Sequence, residues 1–232
     1  MSDKSMQTRP AVVQAFVPGA RAHDQVFGDM TFWARSAGDL IAPTGRIVAC
    51  DPLYCIGAPA FVREVPPGRY PVLLALAQFT QDGDERTAAA MLRLRDVTPV
   101  HWELATMAYE PGEGEIDGAP IADNTYCVDS ALGGFMDEVA IRALQQQIAA
   151  EDDEDYLPGL LEALDWTGSA EWFDIPLDED TGANMLLFAS GWGDGTYSSY
   201  WGYAADDSPV CLLTDFGVVD DADFLTVAPP DL

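Results

Sequence analysis

The fourteen residues Ser190–Tyr203, SGWGDGTYSSYWGY, hold five aromatic rings and four glycines. They lie between two apolar runs, Met185–Ala189 and Val210–Phe216, that read as buried strands. A stretch of this kind is a turn with its flanks inside a sheet. Gly193-Asp194-Gly195 offers backbone that tolerates positive φ and a carboxylate that can bond it, as a hairpin reversal requires. Beyond the turn, Tyr197, Trp201 and Tyr203 fall on one strand face and Tyr200 on the other. The stretch has two readings: a glycine–aromatic hairpin that closes a core, or a site that uses Asp194.

The remaining sequence is mostly strand-like. Ala11–Val17 alternates weakly and is expected to be a first strand ended by Pro18-Gly19, after a polar, frayed start at residues 1–10. Thr31–Arg35 is a short strand, and Arg46–Cys50 is a continuous apolar strand that stops at Asp51-Pro52. Pro71–Phe79 and Arg86–Arg95, separated by an acidic turn, read as an antiparallel hairpin, and Val100–Ala105 as a short strand. His101 beside Trp102 reads as a half-buried structural histidine.

Phe135, Val139, Leu144 and Ile148 fall near helical spacing, so the main helix is expected over about 134–150, with Asp129 and Ser130 able to cap its approach. A second short helix fits Leu157–Leu164, Glu171–Pro176 is extended, and Asp223–Val227 fits an edge strand. With no internal repeat and no long linker, the expectation is one domain over 1–232. Its fold class is β-rich α+β, with mostly antiparallel sheets or a sandwich around one main helix.

The net charge is −28, and its distribution says more than its size. The last Lys or Arg is Arg142, and residues 143–232 carry twenty Asp or Glu. Such a field repels nucleic acid and anionic membrane and speeds encounter with basic partners. No apolar run reaches the length of a membrane span, and no apolar signal core comes after Met1, so a cytoplasmic protein is expected. Ten Arg to one Lys and abundant Ala fit a bacterial genome of high G+C content. The four cysteines form no CxxC pair and read as buried reduced thiols.

GxGxxG, P-loop, GxSxG and HExxH motifs are absent. With two histidines, neither near the aromatic stretch, hydrolytic chemistry would rest on carboxylates or a metal. Asp51, Asp129, Asp137, Asp194 and Asp215 all stand at strand ends, turns or the expected helix start. There they can either converge on a hard cation such as Mg²⁺ or Ca²⁺ or each cap a local turn. The metal candidates among them are Asp51, Asp129 and Asp194. Trp192, Tyr197 and Trp201 complete the candidate cluster as rings that could stack on a ligand.

Several strings together resemble a known bacterial family, the domain of unknown function numbered 4241. They are Gly45–Pro52, Val65–Val72, Arg86 with Ala88-Ala89, Trp102–Ala105, Tyr126–Ser130, and Ser190–Gly202 with Thr214-Asp215-Phe216. They span about residues 38–217, and SGWGDGxYxxYWG is the most specific of them. The pattern departs at Ser130-Ala131-Leu132-Gly133, where a Gly is expected closer to Asp129. The resemblance implies a cytoplasmic bacterial domain and supplies no activity, substrate or site; that such families sit beside secreted toxins is analogy.

Two functions are therefore expected as alternatives. One is a binding protein that neutralises a basic protein such as a toxin, in the manner of an immunity protein; the other is a metal-dependent hydrolase or a sugar- or nucleotide-binding module on the aspartates.

Overall fold

The structure, a computed structural model, describes residues 10–108, 115–116, 119–120, 124–151, 156–164, 168, 170–219 and 224–225. A 3-10 turn at Ala11–Phe16 precedes β1 (Arg21–Asp24), β2 (Gly28–Ala42) and β3 (Ile47–Cys50). A second 3-10 turn at Pro52–Tyr54 leads to β4 (Gly68–Phe79), β5 (Glu85–Arg93) and β6 (His101–Leu104). The small ribbon β7 (Glu115–Ile116) and β8 (Ala119–Pro120) precedes β9 (Thr125–Val128), β10 (Leu132–Asp137), α1 (Glu138–Glu151) and α2 (Tyr156–Glu162). β11 (Trp172–Pro176), β12 (Asn184–Ala189), β13 (Gly195–Tyr203) and β14 (Pro209–Asp215) complete the order.

The longest sheet runs β1-β2-β4-β5-β14-β13-β6, with β9 also on β13, and a second runs β11-β12-β10-β3. Every pairing among the described residues is antiparallel. The fold is thus β-rich α+β. In the second sheet, β3, β10 and β12 are buried at every position, which explains why their sequences are unbroken apolar runs rather than alternations. Ile47, Ala49, Phe135, Leu186 and Phe188 enter the core shared with the large sheet. Their neighbours Val48, Cys50, Met136, Met185 and Leu187 pack instead with Ala140, Ile141 and Leu144 of α1 and Leu157 of α2. The order of layers is large sheet, small sheet, helices.

Three expectations need correction. Ala11–Phe16 is a 3-10 turn and not a strand. Its buried residues Val12 and Ala15 are three apart, the repeat of that helix, and it packs on β2, β4 and β5. The main helix starts at Glu138, because residues 132–137 are strand β10, hydrogen-bonded between β12 and β3. Tertiary pairing overrides the helical spacing of Phe135 there, and the cap is Asp137, whose Oδ1 accepts the Val139 N–H at 3.0 Å.

The third correction concerns the aromatic stretch. β12 lies in the small sheet and β13 in the large one, so residues 190–194 are a corner between sheets and not a hairpin. The hairpin partner of β13 is β14. The corner packs too tightly for a side chain at Gly191 (φ +60°), where an added Cβ would lie 2.9 Å from the Phe216 backbone oxygen.

The other expected strands are present. Arg46–Cys50, Pro71–Phe79, Arg86–Arg95 and Val100–Ala105 correspond to β3, β4, β5 and β6, and the short strand at Thr31–Arg35 extends to fifteen residues in β2. Residues 1–9 lie outside the described residues, as does most of 223–227, where Phe224 makes an isolated bridge to Ala22.

All four cysteines are free, and Cys50, Cys55 and Cys211 are buried. Burial pushes the Cys211 thiol up from 9.0 to about 12 and the Cys55 thiol up to about 11. The unfolded chain therefore loses these protons first as pH rises, and stability present below pH 9 falls above it. Urea unfolding under reducing conditions is expected to give a constant free energy from pH 7 to 8 and a loss of about 1.4 kcal/mol per pH unit per thiol above pH 9. A flat profile to pH 10.5 would contradict it.

Candidate functional site

The residues singled out in the sequence divide into a buried framework and an exposed surface. Asp51, fully buried, comes directly after β3 and forms the centre of the framework. Its Oδ1 accepts the Leu53 N–H at 2.8 Å and the Ser130 hydroxyl at 2.9 Å. Its Oδ2 accepts the N–H groups of Asp129 at 2.7 Å and Ser130 at 2.8 Å. One carboxylate thus caps the 52–54 turn and ties it to the loop after β9.

The next amide in that loop belongs to Ala131, which donates to Asp194 Oδ1 at 3.2 Å. Ala131 holds φ at +56°, a region that disfavours a Cβ, and this bond helps to keep it there. It marks the point where the sequence departs from the expected glycine. Asp129 itself is exposed and accepts the Tyr54 hydroxyl at 3.1 Å, which raises the Tyr54 pKa through that hydrogen bond and the adjacent charge.

Asp51, Asp129 and Asp194 therefore meet around one turn, each engaged by protein donors. Among the described residues, no three or more His, Cys, Asp or Glu are grouped so as to hold a metal ion. Thermal melting with and without millimolar Mg²⁺ or Ca²⁺ is expected to give the same midpoint within about 1 °C, since only a ligand bound to the folded state raises it. Asp194→Asn keeps an oxygen for the Ala131 amide, so urea unfolding should register a change below about 1 kcal/mol.

The remaining acids also serve as caps. Asp137, fully buried, accepts the N–H groups of Thr44 and Gly45 at 3.1 and 2.9 Å, and Asp215 accepts that of Gly217 at 2.9 Å.

The rings separate in the same way. Tyr197 and Trp201 are core residues: the Tyr197 hydroxyl donates toward the Ser190 and Gly193 carbonyls at 2.9 and 2.7 Å, and Trp201 meets the Phe61 ring edge-on. Tyr203 is also buried; Arg63 lies over its ring at 5.0 Å, and together they line a cleft of about 400 Å³ with Glu103 and Trp201. His101 stacks on Tyr203 at 4.7 Å with 25% of its side chain exposed, matching the expected half-buried histidine.

Trp192 differs from these rings, being 39% exposed at the sheet corner. It stacks on Phe27 at 4.3 Å, and Phe27 and its neighbour Val26 are 42% and 76% exposed. Asp24 holds their loop by accepting both N–H groups, at 2.7 and 2.8 Å. Arg86 lies over Trp192 at 5.3 Å while paired with Asp84 at 2.7 Å. Three turns, at 24–28, 80–84 and 191–194, meet here around an apolar centre with carboxylates at its rim.

The family described as "Protein of unknown function (DUF4241)" matches residues 40–214, about three quarters of the chain. The chain belongs to the DUF4241 family. No curated protein and no solved structure matches it. The span matched to DUF4241 contains Asp51, Tyr54, the 129–131 turn and Trp192, whereas Val26 and Phe27 precede it. Sequence reasoning misses Val26, Phe27 and Tyr54 because an apolar residue in a turn carries little local sign of exposure. A weak signal does exist: Val26-Phe27 interrupts an otherwise polar segment, His23-Asp24-Gln25 before and Gly28-Asp29 after.

Proposed function

We propose that the chain is a binding protein for a basic protein partner, in its narrower form an immunity-like protein that neutralises a toxin. The observation that carries this reading is the exposed Phe27–Trp192 stack with Val26 beside it, at the meeting of acidic turns. An exposed aromatic pair on rigid turns suits an interface anchor, which becomes most effective when a partner excludes water from it. The charge of −28 supplies long-range attraction for a basic surface and repels further copies of the same chain. The three buried free thiols suit a reducing compartment, which supports a cytoplasmic setting.

The test is recovery on the immobilised chain at low salt from the source cell, followed by titration of the recovered protein against the chain. A protein of strongly basic isoelectric point, released by salt and lost on a Trp192→Ser resin, is the expected result. A neutral or acidic partner, or one that is indifferent to both salt and Trp192, would contradict the reading.

A further inference from the structure

A second exposed apolar group lies on the 52–56 loop. Leu53, Tyr54 and Ile56 are 37%, 58% and 41% exposed. Their loop is fixed from beneath by Asp51, so they stand on rigid backbone. A continuous series of contacts leads from this group to the Trp192 stack. Tyr54 bonds Asp129, Ala131 stands two residues further on and bonds Asp194, and Asp194 is two residues from Trp192. The bridge between the two apolar groups is thus formed at the surface by the exposed carboxylates of Asp129 and Asp194.

We infer that the two groups form one docking surface, whose occupant is an extended basic segment of a partner protein with an apolar side chain at each end and Lys or Arg between. This rests on the reading of the chain as a binder of basic proteins and adds where and in what form the partner is held. The charge pattern selects this occupant. Asp129 and Asp194 between the apolar groups favour cationic side chains, while a second copy of the chain would bring two −28 surfaces together. The connecting contacts limit the separation to what about ten extended residues can span.

The test uses the full chain and two synthetic twelve-residue peptides with two leucines at each end, one carrying arginine and the other glutamine at the positions between. Hydrogen exchange is followed at the 53–56 and 191–195 amides, with affinities from fluorescence anisotropy at low salt. The arginine peptide is expected to bind more tightly than the glutamine peptide and to protect both segments together. Tyr54→Ser and Trp192→Ser should each weaken it tenfold or more, and Asp129→Asn should lessen its salt dependence. The melting midpoint of each variant is compared with the wild type, and the exchange map of the wild type carries the test if a variant is unstable.

Protection of one segment alone, or of another surface such as the outer edge of β6, would overturn the inference while leaving the basic-partner reading in place. Binding of neither peptide would do the same, since a folded basic partner can still be recovered at low salt. Equal binding of the two peptides would overturn both. Concentration-dependent dimerisation that is lost in Trp192→Ser would assign the surface to a second copy and overturn the basic occupant.

Discussion

Replacing Asp51 with alanine is expected to destabilise the fold by about 3–5 kcal/mol, read as a lowered urea midpoint at pH 7 with an unchanged slope. The carboxylate accepts bonds from the Leu53, Asp129 and Ser130 amides and the Ser130 hydroxyl, and it is fully buried. Alanine takes the acceptor away from these partly buried donors, and each group left unsatisfied costs about 1–3 kcal/mol. Asparagine should recover part of the loss. With its oxygen at the Oδ2 position it keeps the Asp129 and Ser130 amides, the Ser130 hydroxyl can turn to accept from its N–H₂, and only the Leu53 N–H is left opposed by a donor. A loss under about 1 kcal/mol in Asp51→Ala would show that the loop is held by other contacts.

Gly45→Ala is the other large effect, expected to exceed about 4 kcal/mol and to leave little soluble folded protein. Gly45 has φ +76°, and an added Cβ would lie 1.8 Å from the Val65 backbone oxygen. The two backbones cannot easily separate, because the Val65 N–H donates to the Gly45 carbonyl at 2.9 Å and the Gly45 N–H donates to buried Asp137 at 2.9 Å. Gly83→Ala provides the control, with nearly the same φ of +78° and nothing within 4 Å of the new Cβ. It should cost only the left-handed penalty of about 1–2 kcal/mol. Similar midpoints for the two variants, measured by thermal and urea unfolding, would contradict the steric account.

These residues also illustrate how far the sequence can be read. β3, β4, β5, β12 and β14 are legible because burial on both faces, or on one, leaves apolar runs and alternations that no other local structure explains as well. β10 is not, since Phe135 and the apolar residues after it sit at helical spacing and only pairing with β12 and β3 makes residues 132–137 a strand.

The corner at 190–194 escapes the hairpin reading for a related reason. Positive-φ glycines and a turn aspartate serve a hairpin and a sheet-to-sheet crossing equally well, and long-range pairing decides between them. Asp51 is legible as the end of a strand, but not as the anchor of a loop that lies 78 residues later. For Trp192, Tyr197 and Trp201 the sequence places the rings together, whereas exposure separates them: two close the core and one faces solvent.

Whether an aromatic anchor on an acidic surface holds a basic partner, as proposed, is decided by isothermal titration of the partner recovered at low salt, against the wild-type chain and Trp192→Ser at two salt concentrations. Trp192→Ser is expected to weaken binding by about thirtyfold, the equivalent of about 2 kcal/mol at a buried anchor, and added salt is expected to weaken the wild-type complex. Equal affinities for the two chains, unchanged by salt, would contradict it.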